Sequence, residues 1–170
     1  MYEIWQKWIP ENESKASFTK AGFYSKQILP NLKLISLNSN FGYRMNFWNV
    51  FNPIDPGNQL SWLINELEQA EKQNNSVMII SHLPPSNECI GSWTHNYIRI
   101  VERFKKVIVG HFNGHTHKDE IGVVYSKKQT SHGTVNYPVG TVFMAPSITT
   151  YSNLNPAYRI FTLDSRVSLT

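Results

Sequence analysis

Gly110-His111-Phe112-Asn113-Gly114-His115-Thr116-His117 is the stretch on which the reading of this 170-residue chain turns. It lies between two short apolar runs, Val107-Ile108-Val109 and Ile121-Gly122-Val123-Val124-Tyr125. That placement predicts a turn leaving the end of one strand and leading into the next. Gly114 is expected to take a bend that a Cβ would resist. In extended chain His115 and His117 project to the same side, with Cα atoms roughly 6–7 Å apart. Imidazoles so placed either converge on one metal ion or take one each of a pair about 3.5–4 Å apart. The alternative is a pair of loop histidines with no ligand.

A second stretch upstream shifts that balance. Ser76-Val77-Met78-Ile79-Ile80 has the composition of a strand, and Ser81-His82-Leu83-Pro84-Pro85 follows directly. The prolines stop the strand and leave His82 at its carboxyl end. Sites in α/β sheets gather outside the carboxyl ends of strands, so two such ends carrying histidine are expected to share a crevice.

Working outward, Leu60, Leu63, Ile64 and Leu67 recur at the spacing of an amphipathic helix, opened by Asp55-Pro56 as cap and first turn. A second helix is expected from about Asn96 to Lys105, with Ile100, Val101 and Phe104 inward. Strands are expected at 21–28, at 32–37 and up to Val109. Further strands are expected at Ile121–Tyr125, Thr141–Met144 and Tyr158–Leu163. Ile4, Trp5 and Trp8 lie on one face of a short helix ended by Pro10, and the segment to Lys20 is polar. Residues 38–58 form a long loop rich in aromatic residues and Asn, and such loops are often functional. The order strand, helix, strand, helix, strand, then β-rich chain predicts an α/β core flanked by a β-layer.

These blocks carry a resemblance. Ser81-His82-Leu83-Pro84-Pro85 and Gly114-His115-Thr116-His117 resemble the later metal-binding blocks of calcineurin-like metallophosphoesterases. Asn46-Phe47-Trp48, 55–63, 96–101, 145–151 and Leu154-Asn155-Pro156-Ala157-Tyr158-Arg159 narrow it to the acid sphingomyelinase family and its phosphodiesterase relatives. The likeness covers nearly the whole chain in the family's order. It implies an α/β fold, part of a four-layer α/β/β/α sandwich with mixed sheets. It implies that residues 1–170 are a partial catalytic domain, its carboxyl-terminal half.

The implied activity is phosphodiester hydrolysis by two zinc ions, most simply sphingomyelin to ceramide and phosphocholine. Nucleotides or other phosphoesters are the alternative substrates. A non-catalytic fragment and a mononuclear zinc module using all three histidines are the remaining alternatives. By resemblance His82 and His115 bind one zinc and His117 the other. The family's Asp-x-His pair, bridging Asp and Asn-His pair find no counterpart here, so the general acid is unassigned. At most one zinc is expected to be well held by this chain alone. His95, Asn96, Tyr151 and Asn155 are candidate substrate contacts. Asp119 is a supporting residue or a strand residue. His111 either lines the site or is structural, and His132 falls in a polar loop.

The formal net charge of +4 is unclustered, which gives no nucleic-acid footprint. No apolar stretch is long enough to span a membrane, and no secretory signal opens the chain. Asn12-Glu13-Ser14 and Asn74-Asn75-Ser76 are glycosylation sequons. With the resemblance they point to an extracellular or lysosomal protein. Phe47, Trp48 and Trp93 suit either contact with a membrane surface or core packing. Cys89 is the sole cysteine. The family pairs a cysteine there with one at the position of Gly42, so Cys89 is expected to be a free thiol.

Overall fold

Ser76–Ile80 forms a strand with the expected bounds, β3, and the rest of the sheet is built around it. The computed structural model describes residues 2–9 and 11–164. In chain order they form helices α1 (Tyr2–Trp5) and α2 (Glu11–Ala21), strands β1 (Tyr24–Leu29) and β2 (Leu32–Ser36), and helix α3 (Gln59–Lys72). After β3 come α4 (Gly91–Arg103), β4 (Ile108–Asn113), β5 (Glu120–Thr130) and β6 (Gly133–Met144). The result is a mixed α/β fold with one six-stranded sheet, ordered β1-β2-β3-β4-β6-β5. A second sheet is not seen among the described residues.

Strands β2, β3, β4 and β6 run parallel, and β1 and β5 close the edges antiparallel. Parallel strands put their carboxyl ends on one edge, which gathers the loops after Ile80, Asn113 and Met144 there. Helices α3 and α4 cover one face. Leu60, Leu63 and Leu67 from α3 and Trp93, Tyr97, Ile100 and Val101 from α4 bury against Ile35, Val77, Ile79 and Val142 of the strands. Each buried Leu contributes about 1.5–3 kcal/mol relative to exposure. On the opposite face Phe112 and Phe143 stack at 5.2 Å, and Phe161 meets Phe112 edge-on at 4.9 Å.

The α3 cap works through depth. A short 3-10 turn at Pro56–Asn58 intervenes, with Gly57 and Asn58 left-handed. The Asp55 carboxylate reaches past it to accept from the amides of Leu60 at 2.7 Å and Ser61 at 3.0 Å. Those are donors the first turn leaves unpaired.

Several expectations are corrected. Ile4, Trp5 and Trp8 are exposed, and Ile9 is the residue at that end that buries. The expected stop at Pro10 lies outside the described residues. The polar segment before Lys20 is helical and packs Ser14 and Phe18 inward. Helix α4 begins at Gly91, ahead of the expected Asn96, because Trp93 and Tyr97 extend the buried stripe one turn further. Strand β4 runs on through His111 to Asn113, so the turn starts at Gly114. Tyr158–Leu163 forms no strand; the chain there is irregular, and Tyr158 and Ile160 face solvent.

Candidate functional site

His82 lies two residues beyond β3 and His115 two residues beyond β4, and the two strands are neighbours. Their rings meet: His115 Nδ1 is 3.3 Å from His82 Nε2, and the planes are nearly perpendicular at 85°. Backbone and side-chain bonds set the two loops. The Gly114 amide donates to the His82 carbonyl at 3.0 Å. The Asn113 carboxamide nitrogen lies 2.7 Å from Ser81 Oγ and 3.0 Å from the Leu83 carbonyl. The Leu83 amide donates to Ser39 Oγ at 2.8 Å, tying in the loop that follows β2. Asn113 and Tyr43, whose ring sits 6.3 Å from that of His115, are site residues that sequence reasoning missed.

The turn does not bend where expected. Gly114 keeps an ordinary backbone conformation, and the left-handed residues are His115 (φ 77°) and His117 (φ 62°). A non-glycine residue held there costs of order 1–3 kcal/mol, and such strain collects at functional sites. A Cβ on Gly114 would meet His82 Nδ1 at 3.6 Å, an ordinary contact.

His117 turns its ring toward Tyr151, 5.9 Å away, in the loop after β6. It stays near enough for its charge to act on His82. Burial first, then the charges of His115 and His117, hold His82 below the usual imidazole range. Among the described residues, no three His, Cys, Asp or Glu side chains gather as a ready metal cage. Asp119 is engaged elsewhere, in an ion pair with Arg159 at 3.0 Å. The paired nitrogens nonetheless have the right separation. Two nitrogens bound to one tetrahedral zinc at about 2.0–2.1 Å sit roughly 3.3 Å apart. His82 and His115 thus fit two ligand positions of one ion, and the set is incomplete within the described residues.

The remaining candidates divide. Tyr151 is exposed beside His117, and Asn155 is exposed further along the same segment. His95 instead lines a cavity of about 730 Å³ beside α4, with Arg99, Glu102 and Lys127. Asn96 lines another of about 390 Å³ between α3 and α4. His132 is exposed in the β5–β6 turn. Cys89 is free and buried; Tyr43 pairs with it, and a Cβ on Gly42 would lie 2.7 Å from the Trp93 ring.

His111 is structural. It is 1% exposed, its Nδ1 lies 3.1 Å from the Thr141 carbonyl, and its ring meets Tyr97. Burial pushes its pKa down, and the Thr141 bond offsets this only in part. The unfolded chain therefore binds a proton more readily than the folded one. Stability from this group is complete above the ordinary imidazole pKa of about 6.5 and is lost as pH falls through the lower folded value. Melting curves from pH 7.5 to 5 should show this decline, and His111→Phe should make it shallower, the part due to His82 remaining; an identical slope in both proteins would refute the assignment.

The structure is an α/β fold with two histidine rings in contact at adjacent strand ends, a candidate site. No family model matches the chain. Over 168 residues it is 45% identical to the sphingomyelin phosphodiesterase of Bos taurus, covering 99% of this chain and 26% of that protein. It is 35% identical over 179 residues to the cyclic GMP-AMP phosphodiesterase SMPDL3A of Homo sapiens, covering 96% of this chain and 38% of that one. Among solved structures, a dimetal phosphatase from Danio rerio superposes with a TM-score of 0.49 at 14% identity, over 75% of this chain and 50% of the other. Over nearly all of its own length the chain is thus similar in sequence to the sphingomyelin phosphodiesterases, and it spans about a quarter of the length of the bovine relative.

Proposed function

We propose that this chain supplies part of the catalytic centre of a metal-dependent phosphodiesterase, as the carboxyl-terminal half of its catalytic domain. The observation that carries the reading is the 3.3 Å approach of His82 Nε2 and His115 Nδ1 at adjacent strand ends. In it, His82 and His115 hold one divalent ion and His117 contributes to a second. Nitrogen donors at this spacing favour zinc. A bound cation would supply charge stabilisation at a phosphoryl oxygen.

The chain's own groups do the positioning. Asn113 and the Gly114 amide fix the two loops against each other, so the imidazoles are set before any ligand arrives. Tyr43 backs His115 and Tyr151 backs His117. In this reading the Tyr151 ring, exposed beside His117, contacts the substrate, with Asn155 further along its loop. The general acid for the leaving group is assigned to no residue here. Carboxylate ligands are expected from beyond these residues, so the chain alone holds at most one ion well.

The proposed substrate is sphingomyelin, by the 45% identity to a sphingomyelin phosphodiesterase. The 35% identity to a cyclic GMP-AMP phosphodiesterase keeps a nucleotide phosphodiester as the second reading. An extracellular or lysosomal setting is inferred with it. Asn74 sits exposed in the turn after α3, open to a glycan, whereas Ser14 of the other sequon is fully buried. No described helix is long and apolar enough to cross a membrane.

The test is a chimera in which this chain replaces the matching segment of the bovine relative. The chimera is expected to hydrolyse sphingomyelin. The chain alone, with zinc and a chromogenic phosphodiester, should turn over less than roughly one-hundredth as fast, because charge stabilisation worth several kcal/mol is missing. A folded chimera inert on both sphingomyelin and cyclic GMP-AMP would defeat the proposal. Cleavage of the nucleotide alone would favour the second reading. Equilibrium dialysis gives an independent readout: two tightly held zincs per chain would contradict the incomplete ligand set.

A further inference from the structure

Glu102 of α4 faces the β5–β6 hairpin, and the hairpin takes both of its carboxylate oxygens. Ser126 Oγ donates to one at 2.5 Å, and the Tyr137 hydroxyl donates to the other. The Lys105 ammonium lies 5.9 Å from the centre of the Tyr137 ring. These bonds hold the hairpin against α4. They fix the walls of the cavity of about 730 Å³ that both elements line.

The fold brings cations to that cavity. His95 and Arg99 stand one turn apart on α4 and so share a face. Lys127 enters from β5. An adjoining cavity shares Glu102 and Lys127 and adds Lys105 and Lys128. Glu102 is the one acid on either lining. Among the described residues neither Arg99 nor Lys127 has an ion-pair or hydrogen-bond partner. The acid that could neutralise them is engaged with Ser126 and Tyr137.

Lysines on a convex surface are simply solvated. Here the charges border a concavity with apolar and aromatic walls, Pro85, Ile98 and Tyr125. Low-dielectric walls of this kind focus the field on the space between the charges. The volume is that of a small-ligand site, which runs from about 300 to 1,000 Å³.

We propose that this cavity binds a small organic phosphate or sulfate monoester. The planar fork of Arg99 matches two oxygens of a tetrahedral oxyanion, and Lys127 supplies a point charge from the hairpin. The Tyr125 ring, 53% exposed, gives the organic part a flat wall. Asn87 adds a neutral carboxamide. His95, set apart from the strand-end histidines, gains a role as a ring-nitrogen contact. None of His82, His115 and His117 lines the cavity, so the site does not rest on the phosphodiesterase reading.

The chain, stripped of metal with EDTA, is titrated calorimetrically with glucose 6-phosphate, glucose 6-sulfate and glucose. The esters are expected to bind saturably and glucose not at all; tighter binding of one ester identifies the group the site takes. Arg99 and Lys127 are exposed, so Arg99→Gln and Lys127→Gln should leave the melting temperature unchanged. Each should weaken ester binding by roughly tenfold or more, the worth of one charge-assisted hydrogen bond. Absence of saturable binding by the wild-type chain would overturn the proposal, as would full affinity in both variants. If a variant does not fold, NMR on the unaltered chain decides. Amide shifts on adding the ester should gather at Gly91, His95 and Lys127, and shifts gathered at His82 and His115 instead would refute the cavity.

Discussion

Replacing His115 by asparagine in the chimera is expected to cost on the order of a thousandfold in kcat/KM for phosphodiester hydrolysis, with zinc affinity falling in parallel. Asparagine is the informative substitution because it tolerates the left-handed conformation that His115 adopts. Alanine would change the backbone energy and the ligand set together. His82→Asn should match His115→Asn, because in the proposed centre the two nitrogens would occupy corners of one ion. The double variant should be little worse than either single one, since residues acting as a unit are not additive. Zinc titration calorimetry and steady-state kinetics on the same samples check both. A change under about tenfold in either single variant would mean that the histidine pair holds no essential ion.

The second large effect concerns stability. Lys33 on β2 and Glu66 on α3 form an ion pair at 2.8 Å, with side chains 7% and 13% exposed. Burial cuts screening, so the pair matters most when broken. Glu66→Ala would leave an ammonium group in the sheet–helix interface with no counter-charge. That is expected to destabilise the chain by about 3–5 kcal/mol, a fall in Tm of roughly 10 °C. The double variant Lys33→Met/Glu66→Leu should recover most of the loss, because two buried charges are replaced by apolar packing. Urea denaturation of the three proteins measures this. A Glu66→Ala cost below about 1 kcal/mol would show that Lys33 reaches water in the folded state.

Where the local signal was strong, as at β3 and α3, the expectation and the structure agree. Strand β3 is bracketed by Asn74-Asn75 and Pro84-Pro85, and α3 carries a full apolar stripe, so both were legible. His82 was placed at a strand end because two consecutive prolines, Pro84-Pro85, cannot continue a central strand, whereas the single Pro138 is accommodated at the irregularity in the β5–β6 pairing. Helix α2 was not legible because its inward contribution is Ser14 and Phe18, too sparse for a periodic signal. Tyr158–Leu163 looked like a strand by composition, but composition does not supply a pairing partner, and the segment joins none of the six strands.

The site was half legible for a similar reason. His-x-His is visible in one dimension; its backbone conformation is not. The left-handed residues follow from distant bonds, from the Gly114 amide to His82 and from Asn113 to Ser81 and Leu83. Within the turn the Thr116 amide donates to the Gly114 carbonyl at 3.0 Å across His115, a tight closure that the sequence alone does not announce. The loop at 45–54 posed the opposite difficulty. Its aromatic residues were plain in the sequence, but only the inward Asn46 and Asn49 decide that Phe47 and Trp48 face out while Trp93 is buried.

The left-handed backbone at His115 and His117 also bears on anyone wishing to engineer this domain. Positions with φ above zero in non-glycine residues are the usual first targets of a stabilisation campaign, since asparagine or glycine relaxes them. Here that design rule points straight at two imidazoles of the proposed site. Each such replacement would gain thermal robustness at the turn by discarding a donor nitrogen, so ranking variants by melting temperature would select for inactive protein. Stabilisation should be sought in elements away from these two positions, such as the packing of α3 on the sheet.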